Sequence, residues 1–336
     1  MATQGVIMKS DSIKPLVDEL MLRQNKEKIL RYAQSVGLNS IEELYYFPKF
    51  IQIETIAVCN ALCIMCPVKD IKRDTRFLST ELFDKITSEL AQYADWIERV
   101  TIQLNGEPLL DKTLESKIRK MKEIGIKSVS FTTNGSLMTK ERAESILVSG
   151  IGNIDFSVDG ATKETYESIR GNLNYDEVFN NIKQLIKQRN AINPAVSVRL
   201  RMTLSEKNAH ELKMLGDYWR EYFGPQDGVY GKLISSWATW LEGYNLPEGH
   251  DPSRLNTSPC ISPWGSFPIL SDGNVPICCT DFNAQVSMGN VNNSSIRKIW
   301  QGEVISKLRE LHMTRGRSTV EICSDCFVWE DTTKVA

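Results

Sequence analysis

Three cysteines, Cys59, Cys63 and Cys66, lie at spacings of four and three residues, directly after a strand-like run at 51–56. Thiolates this close together can bind one metal centre. A cluster of four irons held by three thiolates leaves one iron without a protein ligand, and an open metal position can bind a small molecule and pass it an electron. The segment 59–66, the cysteine loop, therefore predicts a reactive iron–sulfur cluster.

A structural zinc site and chance are the alternatives for this loop. Structural zinc usually needs four ligands in paired spacings, and no histidine lies near the loop. The three histidines, His210, His250 and His312, are isolated from one another in sequence. A histidine-based catalytic triad or a multi-histidine metal site is therefore not expected.

Composition restricts the class of protein. The chain has 336 residues and a net charge of −2, which argues against nucleic acid as the main partner. No apolar run has the length of a membrane span, and residues 1–12 lack the core of a signal peptide. The eight cysteines fall in two clusters, 59–66 and 260–326. In a cytoplasmic protein, which we expect here, clustered cysteines favour metal binding over disulfides.

The elements that must position these cysteines alternate between strand and helix from residue 51. Residues 1–48 are mostly helical in pattern, and we expect them to pack on the main domain. Strands are predicted near 51–57, 100–104, 128–132, 154–158, 196–203 and 231–236, and helices near 80–94, 112–124, 140–149, 176–190 and 208–222. Six such units predict an α/β fold, a partial (βα)6 TIM-like barrel. The predicted domains are 1–50, 51–255 and 256–336.

Polar motifs follow four of the predicted strands. The cysteine loop follows the first strand, 105–108 the second, 133–136 the third, and Asp159 with Gly160 the fourth. Parallel barrels carry their chemistry at the carboxyl ends of the strands. This shared placement predicts one active site at that end of the barrel.

The cysteine loop resembles the signature of the radical S-adenosylmethionine (SAM) enzymes. That resemblance implies that the open iron binds the amino and carboxylate groups of SAM, whose reductive cleavage gives a 5′-deoxyadenosyl radical. Met65 stands where the family usually has an aromatic residue, and it can still pack near the adenine. The segment 105–108 resembles the family's GGEP motif, with Asn105 in place of the first glycine. Glu107 is then expected to accept hydrogen bonds from the SAM ammonium.

The resemblance implies further SAM contacts. Ser157 and Asp159, two residues apart and so on one side of an extended chain, are expected to hydrogen-bond the ribose, and Asn134 to join the same pocket. Arg170 resembles the arginine near the SAM carboxylate, with a surface ion pair as its alternative. Met202 is expected to pack on adenine, with a place in the core as its alternative.

The C-terminal segment contains a tight-turn signal at Asp272-Gly273, a predicted helix at 295–312 and a terminal CxxC. These are expected to bring together four ligands, which we call the auxiliary thiols: Cys260, Cys278, Cys323 and Cys326. This arrangement resembles the twitch module, a shortened SPASM extension of radical SAM enzymes. It implies one auxiliary 4Fe–4S cluster, closed to substrate and suited to electron transfer. A four-cysteine zinc site is the alternative.

Cys279 is the eighth thiol, and three roles stay open for it. It can replace Cys278 as a ligand, donate a hydrogen atom to a substrate radical, or be a buried bystander. The stretch 237–244 can stack on a sugar ring, with Glu242 binding a hydroxyl or amine. Its alternative role is a packing seam between domains.

The spacing of the auxiliary thiols is similar to that in radical SAM enzymes of the aminocyclitol dehydrogenase type of butirosin biosynthesis. The resemblance implies an oxidoreductase that oxidises a hydroxyl carbon of a carbohydrate or aminocyclitol, uses the auxiliary cluster as electron acceptor, and receives electrons from a flavodoxin- or ferredoxin-type reductant. The alternatives are an epimerase or maturase acting on a sugar or ribosomal peptide, and a non-enzymatic electron carrier or zinc scaffold.

Overall fold

The computed structural model describes residues 19–73, 77–238, 240–241, 245–246, 248, 257–324, 326 and 332–334. Within these ranges the helices are α1 (Glu19–Ser35), α2 (Thr80–Leu90), α3 (Leu114–Glu123), α4 (Lys140–Leu147), α5 (Lys163–Ile169), α6 (Tyr175–Ile192), α7 (Leu212–Trp219), α8 (Ser262–Gly265), α9 (Ile296–Trp300) and α10 (Glu303–Arg315). The strands are β1 (Phe50–Ile53), β2 (Leu62–Cys63), β3 (Arg99–Thr101), β4 (Ser128–Thr133), β5 (Asn153–Ser157), β6 (Arg170–Gly171), β7 (Ser197–Leu204), β8 (Gly228–Leu233), β9 (Ser266–Ile269), β10 (Asn274–Pro276), β11 (Ser287–Asn290) and β12 (Thr332–Lys334).

One large sheet dominates the fold, with the strand order β12-β8-β7-β5-β4-β3-β1-β9. Neighbouring strands from β8 to β9 run parallel, whereas β12 pairs antiparallel with β8. Strands β1, β3, β4, β5, β7 and β8 are the six predicted from the sequence, and helices connect them. The α/β prediction of a partial barrel with a small C-terminal module is confirmed.

Strand β9 is a feature that the sequence did not predict. It belongs to the C-terminal segment, yet it pairs in parallel with β1, and the Glu54 amide donates to the Ile269 carbonyl at 2.9 Å. The C-terminal module therefore adds a strand to the barrel sheet beside the strand that leads into the cysteine loop.

The residues of strand β7 alternate between the hydrophobic core outside the barrel and the cavity inside it. Its even-numbered residues from 198 to 204 are buried in the hydrophobic core, and its odd-numbered residues from 197 to 203 line the inside of the barrel. Successive side chains of a strand point to opposite faces, so the alternation of polar and apolar residues sets this orientation.

Side-chain caps fix the starts of several helices. Ser79, Thr139 and Asn174 each accept a hydrogen bond from the backbone three residues on, at the starts of α2, α4 and α6. The helix predicted at 295–312 is instead two helices, α9 and α10. Gly302 separates them with an extended backbone (φ −73°, ψ 171°), which no helix can continue through.

The N-terminal helix packs on the C-terminal module. Ile29 and Ala33 of α1 join a buried cluster with Trp264, and the Asn25 side chain donates to the Met313 carbonyl at 3.0 Å.

The extension also packs on the main domain, as predicted. The Phe47 ring stacks on Tyr93 with centroids 3.9 Å apart, and the Trp96 indole donates to the Phe47 carbonyl at 2.7 Å. Residues 1–18 and the predicted boundary at 255/256 lie outside the described residues. No helix in the described part of the chain has the length and apolar character of a membrane span.

Glu54 joins the barrel to the C-terminal module. Its side chain is fully buried at the end of β1. Arg73 donates to both carboxylate oxygens, at 2.8 and 2.9 Å. The Asn105 side chain donates at 2.8 Å and the Ser271 amide at 2.9 Å. One carboxylate therefore ties together the chain after the cysteine loop, the chain after β3 and the chain after β9.

Replacing this carboxylate should destabilise the fold. Glu54→Gln leaves the Arg73 guanidinium buried without its counter-ion, which costs about 3 kcal/mol of unfolding free energy. Chemical denaturation of the purified protein measures the loss. Asp217→Asn is the matched control, because its ion pairs with Lys213 and Arg220 lie at the surface. Equal stability of the two variants would contradict the proposed role of Glu54.

Candidate active site

The three thiols of the cysteine loop face one cavity. Cys59, Cys63 and Cys66 all line this space, the main cavity, which has a volume of about 720 Å³. The Cys66 amide donates to the Cys63 carbonyl at 3.1 Å, and the Ala61 amide donates to the Cys59 sulfur at 3.4 Å. Local hydrogen bonds thus hold the loop so that one short segment presents three sulfurs to one space.

A short strand pair anchors the middle of the loop. Cys63 in β2 pairs antiparallel with Arg170 in β6, and the Ile64 amide donates to the Ile169 carbonyl at 3.0 Å. The residue predicted to lie near the SAM carboxylate is therefore held directly beside a loop cysteine.

The loop thiols are neutral by themselves. Burial raises the pKa of Cys59, of Cys63 and of Cys66, the last to about 12. The nearby Arg170 charge opposes this effect without reversing it. Buried thiols ionise when a cationic centre binds them, and iron is such a centre. The chemistry of this donor set fits an iron–sulfur cluster.

Gly106 allows a close approach of two chain segments. It has φ +90°, and a Cβ there would lie 2.5 Å from the Ile56 carbonyl oxygen and 2.8 Å from that of Val58. The next residue's amide donates to the Val58 carbonyl at 2.9 Å. Only glycine fits this position, so the 105–108 segment lies against the chain entering the cysteine loop.

Glu107 lines the main cavity with its carboxylate held by three donors. The Thr133 hydroxyl donates at 2.6 Å, the Asn134 amide at 2.8 Å and the Leu109 amide at 3.0 Å. Burial raises the pKa of this carboxyl, and the hydrogen bonds act in the opposite direction. The structure therefore places a fixed acceptor in the cavity, as the prediction for the SAM ammonium requires.

Asn134 and Ser157 also line the main cavity. The Asn134 side chain donates to the Asn60 side-chain oxygen at 2.9 Å and lies 3.9 Å from the Cys59 sulfur. Ser157 is the last residue of β5. Both residues therefore share a cavity with the three loop thiols, and their contacts with SAM stay a prediction.

Asp159 does not face the cavity as predicted. Its carboxylate is fully buried and accepts hydrogen bonds from Arg170 Nε at 2.7 Å and from the Thr203 amide at 2.6 Å. Arg170 itself lines the cavity. Strand β5 ends at Ser157, so the two-residue alternation that placed Asp159 beside Ser157 does not continue. Asp159 instead positions Arg170 from behind.

The two methionines predicted to contact adenine differ in placement. Met65 lines the main cavity and packs with Ile169 and Ile234. Met202 is fully buried in the hydrophobic core, among the outward-facing residues of β7, so its alternative place in the core is the one observed. The structure does not bring Met202 to the cavity.

The four auxiliary thiols line a second, smaller space, the auxiliary cavity. Arg317 fixes the segments that carry two of them: it donates to the Ser258 carbonyl at 3.0 Å and to the Cys326 carbonyl at 2.7 Å. Burial, followed by the charges of the neighbouring thiols, raises the pKa of Cys323. The predicted grouping of Cys260, Cys278, Cys323 and Cys326 is the one the structure has.

The two groups of thiols line two cavities. The thiols of the cysteine loop line the main cavity, and the auxiliary thiols line the auxiliary cavity. In the described part of the chain, no set of three or more cysteine, histidine, aspartate or glutamate side chains is arranged to hold one metal ion. His312 also lines the auxiliary cavity: its Nδ1 accepts from the Cys260 amide at 3.2 Å, and its buried Nε2 has no partner there.

Two adjacent cysteines face different cavities. Cys278 lines the auxiliary cavity, Cys279 lines the main cavity, and Thr280 lines both. The contact with Cys278 and then burial raise the pKa of Cys279, so its thiol keeps its hydrogen. Cys279 therefore lines the main cavity while contacting a thiol of the auxiliary cavity, and its role stays open.

The stretch 237–244 is described only in part. Trp237 lines the main cavity, whereas Trp240 packs edge-to-face on Phe282 with ring centroids 5.9 Å apart. The position of Trp237 fits the interpretation that this stretch stacks on a sugar ring. The position of Trp240 fits the alternative, a packing seam between domains. Glu242 lies outside the described residues.

Sequence reasoning missed the charged residues inside the barrel. Arg99, Asp155, Arg199, Arg201 and Lys232 all line the main cavity. The sequence of β7 contained a signal for these residues, because arginines alternate there with core residues. A closed barrel would bury both faces of such a strand, so charged residues on one face are unusual.

Comparison with known proteins places the chain among characterised families. The profile of the radical SAM superfamily matches residues 53–214, and that of the SPASM iron–sulfur cluster-binding domain matches residues 260–327. The chain is 30% identical over 162 residues to a probable GTP 3′,8-cyclase of Saccharolobus islandicus, covering 48% of this chain and 50% of that protein. It therefore spans about half the length of these first curated relatives.

One curated relative and two solved structures match over more of the chain. The S-adenosyl-L-methionine-dependent 2-deoxy-scyllo-inosamine dehydrogenase of Niallia circulans is 22% identical over 278 residues, covering 82% of this chain and 91% of that protein. The crystal structure of BtrN in complex with AdoMet and 2-DOIA superposes with a TM-score of 0.60 at 20% identity, over 83% and 93% of the two chains. SuiB of Streptococcus suis bound to precursor peptide SuiA gives 0.62 at 14% identity, over 95% and 78%. The structural likeness shows a common fold.

The two groups of thiols should each account for half of the bound iron. Anaerobically purified protein should contain about eight irons per chain. Replacing Cys59, Cys63 and Cys66 together by serine should leave about four, and so should replacing Cys323 and Cys326. Iron and acid-labile sulfide analysis measures this.

The matched control is Cys279→Ser, which should keep the full iron content because this thiol lines the main cavity and does not line the auxiliary cavity. Stoichiometric zinc with almost no iron would refute the cluster assignment.

Proposed function

Because this chain belongs to the radical SAM superfamily, we propose that it is an oxidoreductase that dehydrogenates a hydroxyl-bearing carbon of a carbohydrate or aminocyclitol. The radical SAM domain uses SAM and a 4Fe–4S cluster, and the SPASM domain binds auxiliary iron–sulfur clusters. One observation carries the proposal: a single turn, Cys278 to Thr280, separates the two cavities. A substrate in the main cavity is thus close to an electron acceptor in the auxiliary cavity.

The residues of the main cavity divide between cluster and cofactor. Cys59, Cys63 and Cys66 would hold the SAM-binding cluster. The proposed SAM contacts are Met65, Glu107, Asn134, Ser157 and Arg170. Asp159 acts on SAM only through Arg170, whose guanidinium it orients with two short contacts, at 2.7 Å to Nε and 2.6 Å to Nη2.

When bound, SAM and its cluster would supply a 5′-deoxyadenosyl radical able to abstract the carbinol hydrogen atom, and the auxiliary cluster would supply an acceptor for the electron left after a base takes the hydroxyl proton. The chain contributes binding and exclusion of solvent. Glu107, Asn134 and Arg170 are nearly buried in the ligand-free protein, so their polar groups are fixed before SAM binds. Pre-fixed groups lower the entropic cost of orienting a ligand.

The inside of the barrel suits a hydroxylated substrate. Side chains of Gln52, Thr101, Ser130 and Thr132 line the main cavity together with Ser157. Hydroxyl and amide groups both donate and accept hydrogen bonds, as the hydroxyls of a sugar or cyclitol require. The Niallia circulans relative is named as a dehydrogenase of such a compound.

Epimerisation of a sugar is the second candidate, and the position of Cys279 favours it. A neutral thiol in the main cavity can return a hydrogen atom to a substrate radical. The reaction then leaves the substrate mass unchanged, and the resulting thiyl radical must be reduced before the next turnover.

Variants of Cys279 separate the two reactions. With SAM and a one-electron reductant, a dehydrogenase forms 5′-deoxyadenosine and a product that lacks two hydrogen atoms, and Cys279→Ala should retain this activity. Liquid chromatography with mass spectrometry, on a panel of sugars and aminocyclitols, detects both products. Cys278→Ala is the comparison variant and should lose product formation, because it removes an auxiliary ligand.

Two outcomes would change this assignment. Uptake of one deuterium from heavy water with no change in hydrogen count, abolished in Cys279→Ala, would establish the epimerase. A substrate panel that never stimulates 5′-deoxyadenosine formation beyond the uncoupled rate would argue against both reactions on this substrate class.

We also propose a reductant, a cellular compartment and a domain division for the protein. A flavodoxin- or ferredoxin-type reductant would supply the first electron, in the cytoplasm. No disulfide joins the eight cysteines, all of which lie in the described part of the chain, and this agrees with a reducing compartment. The proposed division into 1–50, 51–255 and 256–336 is supported by the profile matches at 53–214 and 260–327.

A further inference from the structure

Four basic side chains line the main cavity from strands β3, β7 and β8. They are Arg99, Arg199, Arg201 and Lys232, and we call them the cationic wall. The proposed SAM and cluster contacts use none of them. Their charge is unusual for the interior of a barrel, because an unpaired buried charge is costly.

The carboxylates lining the same cavity are already engaged. Asp155 binds Arg199 through both oxygens, each at 2.8 Å. Asp227 binds the fully buried Arg189 through both oxygens, at 2.8 and 2.6 Å. Glu107 is held by the three donors described above. Arg199 is therefore paired, and these three carboxylates form no ion pair with Arg99 or Arg201.

Arg99 and Arg201 are the uncompensated members on which the inference rests. Among the described residues, no carboxylate lies within ion-pair distance of either guanidinium, and the buried Nε of Arg201 has no hydrogen-bond partner. Burial and then the charge of Arg199 lower the pKa of Arg99. Burial and then the charge of Arg201 lower the pKa of Lys232. The basic groups thus repel one another across the cavity.

We propose that the cationic wall binds an anionic group of the substrate, a phosphate or a carboxylate. Arginine suits this task because its planar guanidinium donates two parallel hydrogen bonds to either group. A cavity lined by one sign of charge also concentrates ligands of the opposite sign. The inference rests on the proposed function and narrows its substrate class to acidic or phosphorylated carbohydrates, since a protonated aminocyclitol would be repelled.

The wall lies beside the places where the chemistry needs the substrate. Arg201 is the register partner of Ser157, a proposed SAM contact, and both line the main cavity. Lys232 interacts electrostatically with Cys279, which adjoins the auxiliary cavity. An anion held at the wall therefore keeps its sugar ring near both the radical source and the electron acceptor.

Binding measurements on the cluster-loaded protein with SAM test the inference directly. Anaerobic calorimetry would compare glucose 6-phosphate, glucuronate, glucose and glucosamine. At least one of the two anionic sugars should bind tenfold or more tighter than glucose, a difference of about 1.4 kcal/mol. Glucosamine should bind most weakly. Raising the salt concentration should shrink the preference, because ions screen the attraction. Comparing glucose 6-phosphate with glucuronate shows whether the wall prefers a phosphate or a carboxylate.

Variants of the cationic wall test whether its arginines cause the preference for anionic sugars. Arg201→Gln and Arg99→Gln should each reduce the preference for the anionic sugar at least tenfold, whereas Arg201→Lys keeps the charge and should retain most of it. The matched control is Arg220→Gln, at a surface arginine whose partner is Asp217, and it should bind as the unaltered protein does. Iron content and circular dichroism confirm that each variant is folded.

Failure of the inference is distinguishable from failure of the proposed function. Equal binding of charged and neutral sugars, binding of neither anionic sugar, or an unchanged preference in Arg201→Gln would overturn the anion site. Oxidation of a neutral or amino sugar by both Arg201→Gln and the unaltered protein would sustain the dehydrogenase and remove the anion site. Arginine-dependent anion binding without any oxidised product would sustain the site and remove the dehydrogenase.

Discussion

The arrangement of the site depends on the hydrogen bonds that converge on the buried carboxylate of Glu54. This residue directly follows β1, in the chain that leads to the cysteine loop. Its partners Arg73, Asn105 and Ser271 come from three separate segments. A buried carboxylate is stable only when several hydrogen-bond donors contact it. The three segments can supply these donors only in one relative arrangement. Glu54 thereby fixes the cysteine loop, the 105–108 segment and the C-terminal module relative to one another.

The same charge compensation holds in two other buried ion pairs. Arg170 is paired with Asp159, and Arg189 with Asp227, each at 2.6 Å and with little or no exposure. These pairs hold loops and strand ends in place. The cationic wall departs from this compensation, and it does so inside the cavity where a ligand can complete it. Departures from local consistency are expected at functional sites.

Much of the architecture was predictable because local patterns decide it. Strand and helix periods gave the six βα units, and the polar motifs after the strands gave the location of the site. What failed depends on long-range choices. The pairing of β9 with β1 is selected by packing between distant segments. Asp159 was misplaced because β5 ends before it, and strand ends are poorly defined by sequence. The choice between the two places predicted for Met202 depended on the phase of β7, because a shift of one residue moves a side chain from one face of a strand to the other.

In the hairpin that carries Cys278 and Cys279, the position of a residue along the chain decides which cavity its side chain lines. Strands β10 and β11 pair antiparallel with an irregularity between Val275 and Pro276, two residues before the first of these cysteines. Deleting one residue there would move Cys279 into the position of Cys278, beside the auxiliary cavity, and inserting one would move Cys278 into the position of Cys279, beside the main cavity. The residue count of this hairpin therefore decides which sulfur each cavity receives, so substitutions are tolerated there more readily than insertions or deletions.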